Sequence, residues 1–220
     1  MDKNNFFVKL ITSLTNQGYR IDEQVFNANY NQVEQYNKTG AVKTNLALGA
    51  VEVLSAMLGN HISFSDVSLE SQNIDEKEFM EDIRKSHSIT PYMLYRFVMA
   101  QPIIIGLIDG DNLESYEYLN IMKEYDSVIL NFRKYAGKSN GQRLGVYGLL
   151  FFVFSNVDKS IEFEQKHVIE NKISHFWKKA YTLPCGIDIS HKNIIKYKGI
   201  PFLLSNIIDY KRLEKELFYE

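Results

Sequence analysis

Residues Gly145–Phe154, GVYGLLFFVF, are the most strand-like segment of this chain. Its apolar residues are almost continuous, and valine and aromatic side chains of this kind favour a strand over a helix. A polar loop with two glycines, Tyr135–Arg143, precedes the run. Because the run has no polar face, we predict a central strand that is buried on both sides.

The residues after this strand predict a helix, a hairpin and a final helix. Apolar residues recur at helical spacing over Ile161–Ile173. An extended segment, Lys178–Ile189, contains a kink at Pro184, and a polar turn leads from it into the returning strand Ile194–Tyr197. The amphipathic segment Asn206–Phe218 then predicts a helix.

The residues before the central strand complete the predicted core. Leu113–Tyr125 is amphipathic and predicts a helix, and Val128–Phe132 predicts a strand that forms a hairpin with Gly145–Phe154. From about residue 113 the predicted order is therefore α-ββ-α-ββ-α. Two hairpins separated by a helix favour an α+β fold with one mainly antiparallel sheet.

The N-terminal part of the chain predicts mostly helices. Apolar patterns and helix-start signals, including Thr90-Pro91, predict four of them: Asn5–Gln17, Lys43–Leu58, Asp75–His87 and Tyr92–Ala100. We predict a single domain over residues 1–220. In it, a helical N-terminal part of about residues 1–101 packs on an α+β core of about residues 102–220.

Composition places the chain among ordinary globular proteins. Its 220 residues carry a formal net charge of -2, which gives no electrostatic reason to expect a nucleic acid as partner. The single cysteine excludes an intramolecular disulfide, and the first residues lack the pattern of a signal peptide. The apolar stretches Leu46–Leu58 and Met93–Ile108 are too short or too polar to span a bilayer. We therefore expect a soluble, cytoplasmic protein without a membrane partner.

Two short motifs match part of a phosphate loop and part of a calcium loop, but both lack required residues. Gly137-Lys138-Ser139 ends like a phosphate-binding loop, yet Phe132 stands where the first glycine is needed and a strand follows instead of a helix. Asp109-Gly110-Asp111-Asn112 begins like a calcium loop, but Asn120 stands at the twelfth position in place of glutamate. We therefore predict a hairpin loop at the first motif and a turn that caps the following helix at the second.

A metal-dependent nuclease or phosphodiesterase is the alternative interpretation. Glu164 and Lys166, with Asp126 or Asp158 upstream, are the residue types that such enzymes place around a metal. These residues need a strand, because alternation puts an acid and a lysine on one face, whereas this segment has helical spacing. The alternative therefore requires ligands, such as Asp188, that converge from distant segments.

The cysteine and the histidines form no catalytic or metal-binding pattern. Cys185, Asp188 and His191 lie within seven residues, and a nucleophilic cysteine needs a histidine base. An extended segment carries Cys185 and His191 apart, so we expect a buried, unreactive thiol. None of the five histidines pairs with another at the helical spacing that binds zinc. We predict no catalytic residue, no metal site and no cofactor.

The candidate binding surface runs from the chain's only tryptophan to the C-terminal hairpin. Aromatic residues beside cations can anchor a protein partner or stack on nucleobases. The predicted site residues are Trp177, Lys178, Lys179, Tyr181, Asp188 and His191. We therefore expect a non-enzymatic binding module that engages an unknown protein partner or a second copy of itself as a homodimer.

Overall fold

A computed structural model describes residues 3–21, 74–86, 90, 92–98, 100–168, 173–175, 180–196 and 207–219. The predicted helix Lys43–Leu58 and three predicted site residues, Trp177, Lys178 and Lys179, lie outside these residues. No helix in the described ranges is long and apolar enough to cross a membrane.

The described part of the chain contains five helices and nine strands. The helices are α1 (Lys3–Thr15), α2 (Glu76–Ser86), α3 (Ser115–Phe132), α4 (Val157–Phe163) and α5 (Tyr210–Phe218). The strands are β1 (Arg20–Ile21), β2 (Tyr92–Val98), β3 (Gln101–Asp109), β4 (Lys138–Ser139), β5 (Gln142–Arg143), β6 (Val146–Phe154), β7 (Ile173–His175), β8 (Ala180–Asp188) and β9 (Asn193–Lys196). A 3-10 turn (Arg133–Tyr135) follows α3, and a π-helical turn (Glu164–Val168) follows α4.

The main sheet is mixed, with more antiparallel than parallel pairings. Its order is β1-β2-β3-β6-β8, and the outer edge of β8 pairs with β7 near its start and with β9 near its end. Among the described strands, β3–β6 and β6–β8 are parallel and the other pairings of this sheet are antiparallel. The predicted α+β class with a mainly antiparallel sheet is confirmed.

The three parallel strands are joined by helical crossovers. Helix α3 connects β3 to β6, and α4 connects β6 to β8. Crossovers of one hand that advance in one direction across a sheet place their helices on the same face, and both helices do pack in one core. Strand β6 is therefore central and buried on both faces, as its apolar run predicts.

Two hydrophobic cores lie on opposite faces of the sheet. The odd-numbered side chains of β6 pack with α1 and α5, and Phe6 of α1 stacks on Phe218 of α5 with ring centroids 5.8 Å apart. The even-numbered side chains of β6, apart from Gly148, pack with α2, α3 and α4. Because the side chains of a strand alternate between its faces, one continuous apolar run supplies both cores.

Helix α3 is fixed to the parallel strands by a tyrosine that lies over two glycines. A Cβ at Gly106 would lie 2.9 Å from the Tyr125 ring, and one at Gly148 would lie 3.1 Å from it, so only glycine leaves room for this ring. The Tyr125 hydroxyl reaches two main-chain carbonyl oxygens, of Ile104 at 2.9 Å and of Leu149 at 3.2 Å. Burial raises the pKa of Tyr125 well above its ordinary value, so the hydroxyl remains a proton donor.

The predicted helix Tyr92–Ala100 is wrong, because these residues form β2. The segment pairs with β3 over its whole length, from Tyr92 opposite Leu107 to Val98 opposite Gln101. Its aromatic and branched residues suit a strand, and the pairing with β3 outweighs the local helix-start signal. The boundary predicted at about residue 101 therefore falls within the β2–β3 hairpin.

The predicted strand Val128–Phe132 is also wrong, because α3 continues to Phe132. The partners of β6 are β3 and β8, so the predicted α-ββ-α-ββ-α order is not the order observed. The predicted helix Ile161–Ile173 is divided into α4, the π-helical turn and the start of β7. Strand β8 runs without a break through Pro184, which lies between the residues paired with β7 and those paired with β9.

The hairpin loop predicted at Gly137-Lys138-Ser139 is confirmed as the separate two-stranded pair β4–β5. Its turn is Asn140-Gly141, and both residues have positive φ, 51° and 77°. This is the conformation of a tight hairpin turn for which Asn-Gly is the preferred sequence. The pair packs beyond the end of α3, where the Gly137 amide donates to the Ala100 carbonyl at 2.8 Å.

Candidate functional site

The carboxyl ends of β3, β6 and β8 meet at one edge of the sheet, because these strands are parallel neighbours. We call the turns that follow them, residues 109–112, 155–156 and 188–192, the carboxyl edge. Ligands of sheets with parallel strands commonly bind outside such ends. The carboxyl edge is therefore the candidate site for ligand binding.

The turn after β3 is held by a lysine from α1. The Lys3 ammonium contacts the carboxylates of Asp109 and Asp111, the second at 2.7 Å. Asp109 also accepts a hydrogen bond from the Asp111 amide at 2.9 Å. Gly110 is required here, because a Cβ would collide with the Phe154 ring.

Asp111 connects this turn to the turn after β6. One of its oxygens accepts hydrogen bonds from the amides of Ser155 and Asn156, at 2.9 and 3.0 Å. Burial would raise the pKa of Asp111, but Lys3 and the two amide donors outweigh it and hold the pKa below its ordinary value. Asp111 therefore stays ionised and serves as a bridge between two turns.

The turn after β8 is tied to the same place. The Ile189 amide donates to the Phe154 carbonyl at 2.8 Å, and the Ser190 hydroxyl donates to the Ser155 carbonyl at 2.7 Å. The three turns thus form one hydrogen-bonded unit.

Asp188 and His191, two of the predicted site residues, come together in this unit. Asp188 is buried and accepts hydrogen bonds from the Ser160 hydroxyl, from the His191 amide at 2.9 Å and from His191 Nδ1 at 2.9 Å. Burial would raise the pKa of Asp188, but these donors hold it below its ordinary value. An ionised carboxylate only accepts, so Nδ1 carries the proton.

The other side of the His191 ring faces solvent. The side chain is 59% exposed, and because Nδ1 is protonated, Nε2 of the neutral ring has a free lone pair. The ring can therefore accept a hydrogen bond from a ligand at Nε2, or donate one when it is protonated. Its orientation is set in advance by Asp188.

Tyr181 does not join this pair. It lies near the start of β8, where its ring stacks on Tyr147 with centroids 5.4 Å apart. Asp188 lies seven positions further along β8, which is about 23 Å along a strand. The predicted site is thus divided between the two ends of β8, and Trp177, Lys178 and Lys179 lie outside the described residues.

Cys185 is buried in the sheet, and its Sγ contacts the Ile195 carbonyl oxygen at 3.4 Å. Burial raises the pKa of its thiol to about 12, whereas His191 is directed to Asp188. The expectation of a buried thiol is confirmed.

The residues named for a nuclease do not have the geometry that this chemistry needs. Glu164 and Lys166 lie in the π-helical turn after α4 instead of in a strand, and Lys166 pairs with Glu162 at 3.2 Å. Asp126 accepts a hydrogen bond from the Thr182 hydroxyl at 3.0 Å. In the part of the chain that the structure describes, no three His, Cys, Asp or Glu side chains are grouped so that they could hold a metal ion.

Sequence reasoning did not find Lys3, Ser155, Asn156 or Ser160 as parts of this edge. Asp109-Gly110-Asp111 was predicted as a turn that caps the following helix, but the structure uses Asp111 to cap the turn after β6. Helix α3 is instead capped by a capping box of Glu114 and Glu117. The available signal was the strand-helix-strand alternation, which indicates parallel strands whose ends meet.

Comparison of the chain with protein-family models, with curated proteins and with solved structures returns no match. A function for this chain therefore rests on the geometry of its own residues.

Proposed function

We propose that the chain is a non-enzymatic binding module whose protein partner docks on the carboxyl edge and contacts the exposed His191 ring. One observation carries the proposal: the buried Asp188 holds His191 through both its amide and its Nδ1, while the His191 side chain remains 59% exposed. A side chain that is fixed before binding loses little conformational entropy when a partner arrives.

The surface next to His191 has the composition of a protein contact. Lys192 follows it in the turn, and the Lys192 ammonium lies 5.7 Å from the centroid of the Tyr219 ring. Tyr219 is 67% exposed. Tyrosine is enriched among the residues that dominate binding energy, so Tyr219, which contacts Lys192 of this turn, is a second anchor.

The hydroxyl groups near His191 support binding over nucleophilic catalysis. Ser160 donates to Asp188, and Ser190 donates to the Ser155 carbonyl. A serine nucleophile would instead donate to the exposed nitrogen of the histidine. Each hydroxyl contributes to the rigidity of the edge.

Affinity capture with matched variants tests the proposal. The wild-type protein and the variants His191→Ala, Tyr219→Ala and Tyr116→Ala are immobilised, and bound proteins are quantified by mass spectrometry. Tyr116 is the control, because it is an equally exposed tyrosine, at 68%, on α3. We expect at least one protein whose recovery falls with the first two changes and is unaffected by the third, and whose binding persists when both proteins are purified.

Two further measurements test the alternatives to this proposal. Analytical ultracentrifugation reports whether the partner is a second copy of this chain. An assay on ester and phosphodiester substrates, with and without divalent metals, reports hydrolysis. A hydrolytic rate that disappears in His191→Ala would replace the proposal with the enzyme alternative, and the absence of any partner with the expected pattern would reject it.

A further inference from the structure

A groove lined by basic side chains lies at the opposite end of α3 from the carboxyl edge. Helix α3 has 18 residues, so the two places are about 27 Å apart along its axis. The groove has a volume of about 650 Å³ and is lined by Leu130, Asn131, Arg133, Lys134, Gln142 and Arg143. We call these six residues the cationic groove; they come from the end of α3, the 3-10 turn and the β4–β5 hairpin.

Arg143 is positioned by main-chain oxygens and not by a carboxylate. Its Nη1 donates to the carbonyls of Lys134 and Ala136, the second at 3.2 Å. Within the described residues, its Nε and Nη2 have no protein acceptor. These two nitrogens form one planar edge of the guanidinium, which matches two oxygens of a phosphate or a carboxylate.

Arg133 has unused donors on a different edge of its guanidinium, the one formed by its two terminal nitrogens. Its Nε donates to the Leu144 carbonyl at 3.5 Å, and its two terminal nitrogens contact no acceptor in the described part of the chain. Each of the two guanidinium groups therefore keeps its charge. Each also has one pair of nitrogen donors that no protein acceptor uses within the described residues. A groove with two such pairs suits an anion that presents more than one oxygenated centre.

The third cation of the groove is neutralised within the protein. The Lys134 ammonium lies 2.6 Å from an Asp82 carboxylate oxygen and also pairs with Glu78. These contacts raise the pKa of Lys134. The two carboxylates are thus engaged by Lys134, and the two arginines face the groove without an acidic residue among its lining residues.

The β4–β5 hairpin holds two like charges directly opposite each other. Lys138 pairs with Arg143 across the ladder, and both side chains are exposed. Like charges at such positions repel, and a hairpin of two strands has little stability of its own. An anion bound at Arg143 would remove this repulsion.

We propose that the cationic groove binds a small ligand that carries two linked phosphoryl groups, one on each arginine. The negative end of the α3 dipole explains cations at Arg133 and Lys134, but it does not explain Lys138 and Arg143 on the hairpin. A ligand with two phosphoryl groups would engage the unused guanidinium edges of Arg133 and Arg143 together. This site is independent of the binding surface at His191.

Isothermal titration calorimetry at constant ionic strength tests the proposal with inorganic pyrophosphate, ADP and orthophosphate. We expect pyrophosphate and ADP to bind more tightly than orthophosphate. Tighter binding of ADP than of pyrophosphate identifies a nucleoside diphosphate as the ligand class, and equal binding identifies the diphosphate alone. Amide shifts of Gln142 and Arg143 in two-dimensional NMR spectra locate the ligand.

Charge-conserving variants separate a fitted site from a diffuse positive surface. Arg143→Lys and Arg133→Lys keep the charge but lose the planar pair of donors, so each should weaken pyrophosphate binding by about tenfold. Lys123→Gln removes an exposed charge from α3 outside the groove and should leave the affinity unchanged. Circular dichroism checks that each variant is folded. If one arginine variant does not fold, the other still tests the proposal.

Three outcomes would overturn the proposal. The first is that pyrophosphate does not bind at millimolar concentration, and the second is that it binds Arg143→Lys and Arg133→Lys as tightly as the wild type. A single-stranded RNA oligonucleotide that binds more tightly than ADP, and loses this affinity in Arg143→Lys, would replace the small ligand with a nucleic acid backbone.

Discussion

Replacing Asp111 should loosen the carboxyl edge and lower the stability of the whole domain. Its carboxylate accepts from the amides of Ser155 and Asn156 and contacts Lys3. Asp111→Ala removes these three interactions and leaves the two amides without their acceptor, whereas the Lys3 ammonium keeps its contact with Asp109. Asp111→Asn keeps the shape and one acceptor oxygen, but it removes the charge.

The contacts set the size of the effect. A hydrogen bond to a charged group contributes about 1.5–3 kcal/mol when it is buried. The Asp111 side chain is 21% exposed, so we take the low end, about 1.5 kcal/mol, for each of the two amide hydrogen bonds. We expect about 3 kcal/mol for Asp111→Ala and about 1–2 kcal/mol for Asp111→Asn. For a domain of this size, each kcal/mol lowers Tm by about 2–4 °C.

Urea unfolding followed by circular dichroism measures these differences, with Glu124→Ala as the control. Glu124 is an exposed acid on α3, and its removal should change the free energy of unfolding by less than about 0.5 kcal/mol. The hydrogen-bonding account of the edge is refuted if Asp111→Ala costs no more than Glu124→Ala does.

The same variants give a pH test with a defined sign. The pKa of Asp111 is lower in the folded protein than its ordinary value, so its contribution is fully present above the unfolded pKa of about 3.9. That contribution is lost as the pH falls through the lower folded pKa. The stability difference between wild type and Asp111→Asn should therefore be constant near neutral pH and shrink below about pH 4. A difference that does not depend on pH would contradict this assignment.

Three further predictions concern other described residues. Tyr125→Phe leaves two strand carbonyls without their hydroxyl donor and should cost about 1–2 kcal/mol of unfolding free energy, measured by urea denaturation; no loss would mean that the hydroxyl is dispensable. Ser160→Ala removes a donor that lowers the pKa of Asp188, so that pKa should rise and acid unfolding should begin at a higher pH; an unchanged acid midpoint would argue against it. Cys185 is buried and its pKa is raised to about 12, so Ellman's reagent at pH about 8 should label it only after unfolding, and rapid labelling of the native protein would disprove its burial.

The central strand was predictable because its evidence is local. Gly145–Phe154 has a continuous apolar run with turn residues at both ends, and the structure places it between two cores. Its neighbours were not predictable from the run itself, because a strand buried on both faces shows no sign of which strands it pairs with. The parallel partners depend on α3 and α4 as crossovers, which are properties of the chain order.

In two segments the local sequence signal disagrees with the structure that the chain forms. Thr90-Pro91 has the form of a helix start, but Tyr92–Val98 pairs with β3 over its full length and becomes a strand. Val128–Phe132 contains branched residues, yet Tyr118, Met122, Tyr125, Ile129 and Phe132 are buried at intervals of three or four, which is the helical period. The longer periodicity was present in the sequence and indicated one helix.

The site was only partly predictable, for a physical reason. Asp188 and His191 are three residues apart and share a turn, so their association is local. Asp111 and Ser155 are 44 residues apart, and Lys3 lies 108 residues from Asp111. Such contacts form only when the chain has folded and distant segments lie side by side. The number of residues between two positions does not show which of them will meet.

The pairing of α1 with α5 has a consequence for protein synthesis. Strand β9 ends at Lys196 and α5 begins at Tyr210, and α5 contacts α1 through Phe218 on Phe6 and through the Leu217 carbonyl, which accepts from Lys9 at 3.0 Å. The ribosome therefore releases all the described strands of the sheet before it releases α5, the helix that completes one core. During that interval a nascent chain exposes an apolar face, which is the kind of surface that chaperones bind.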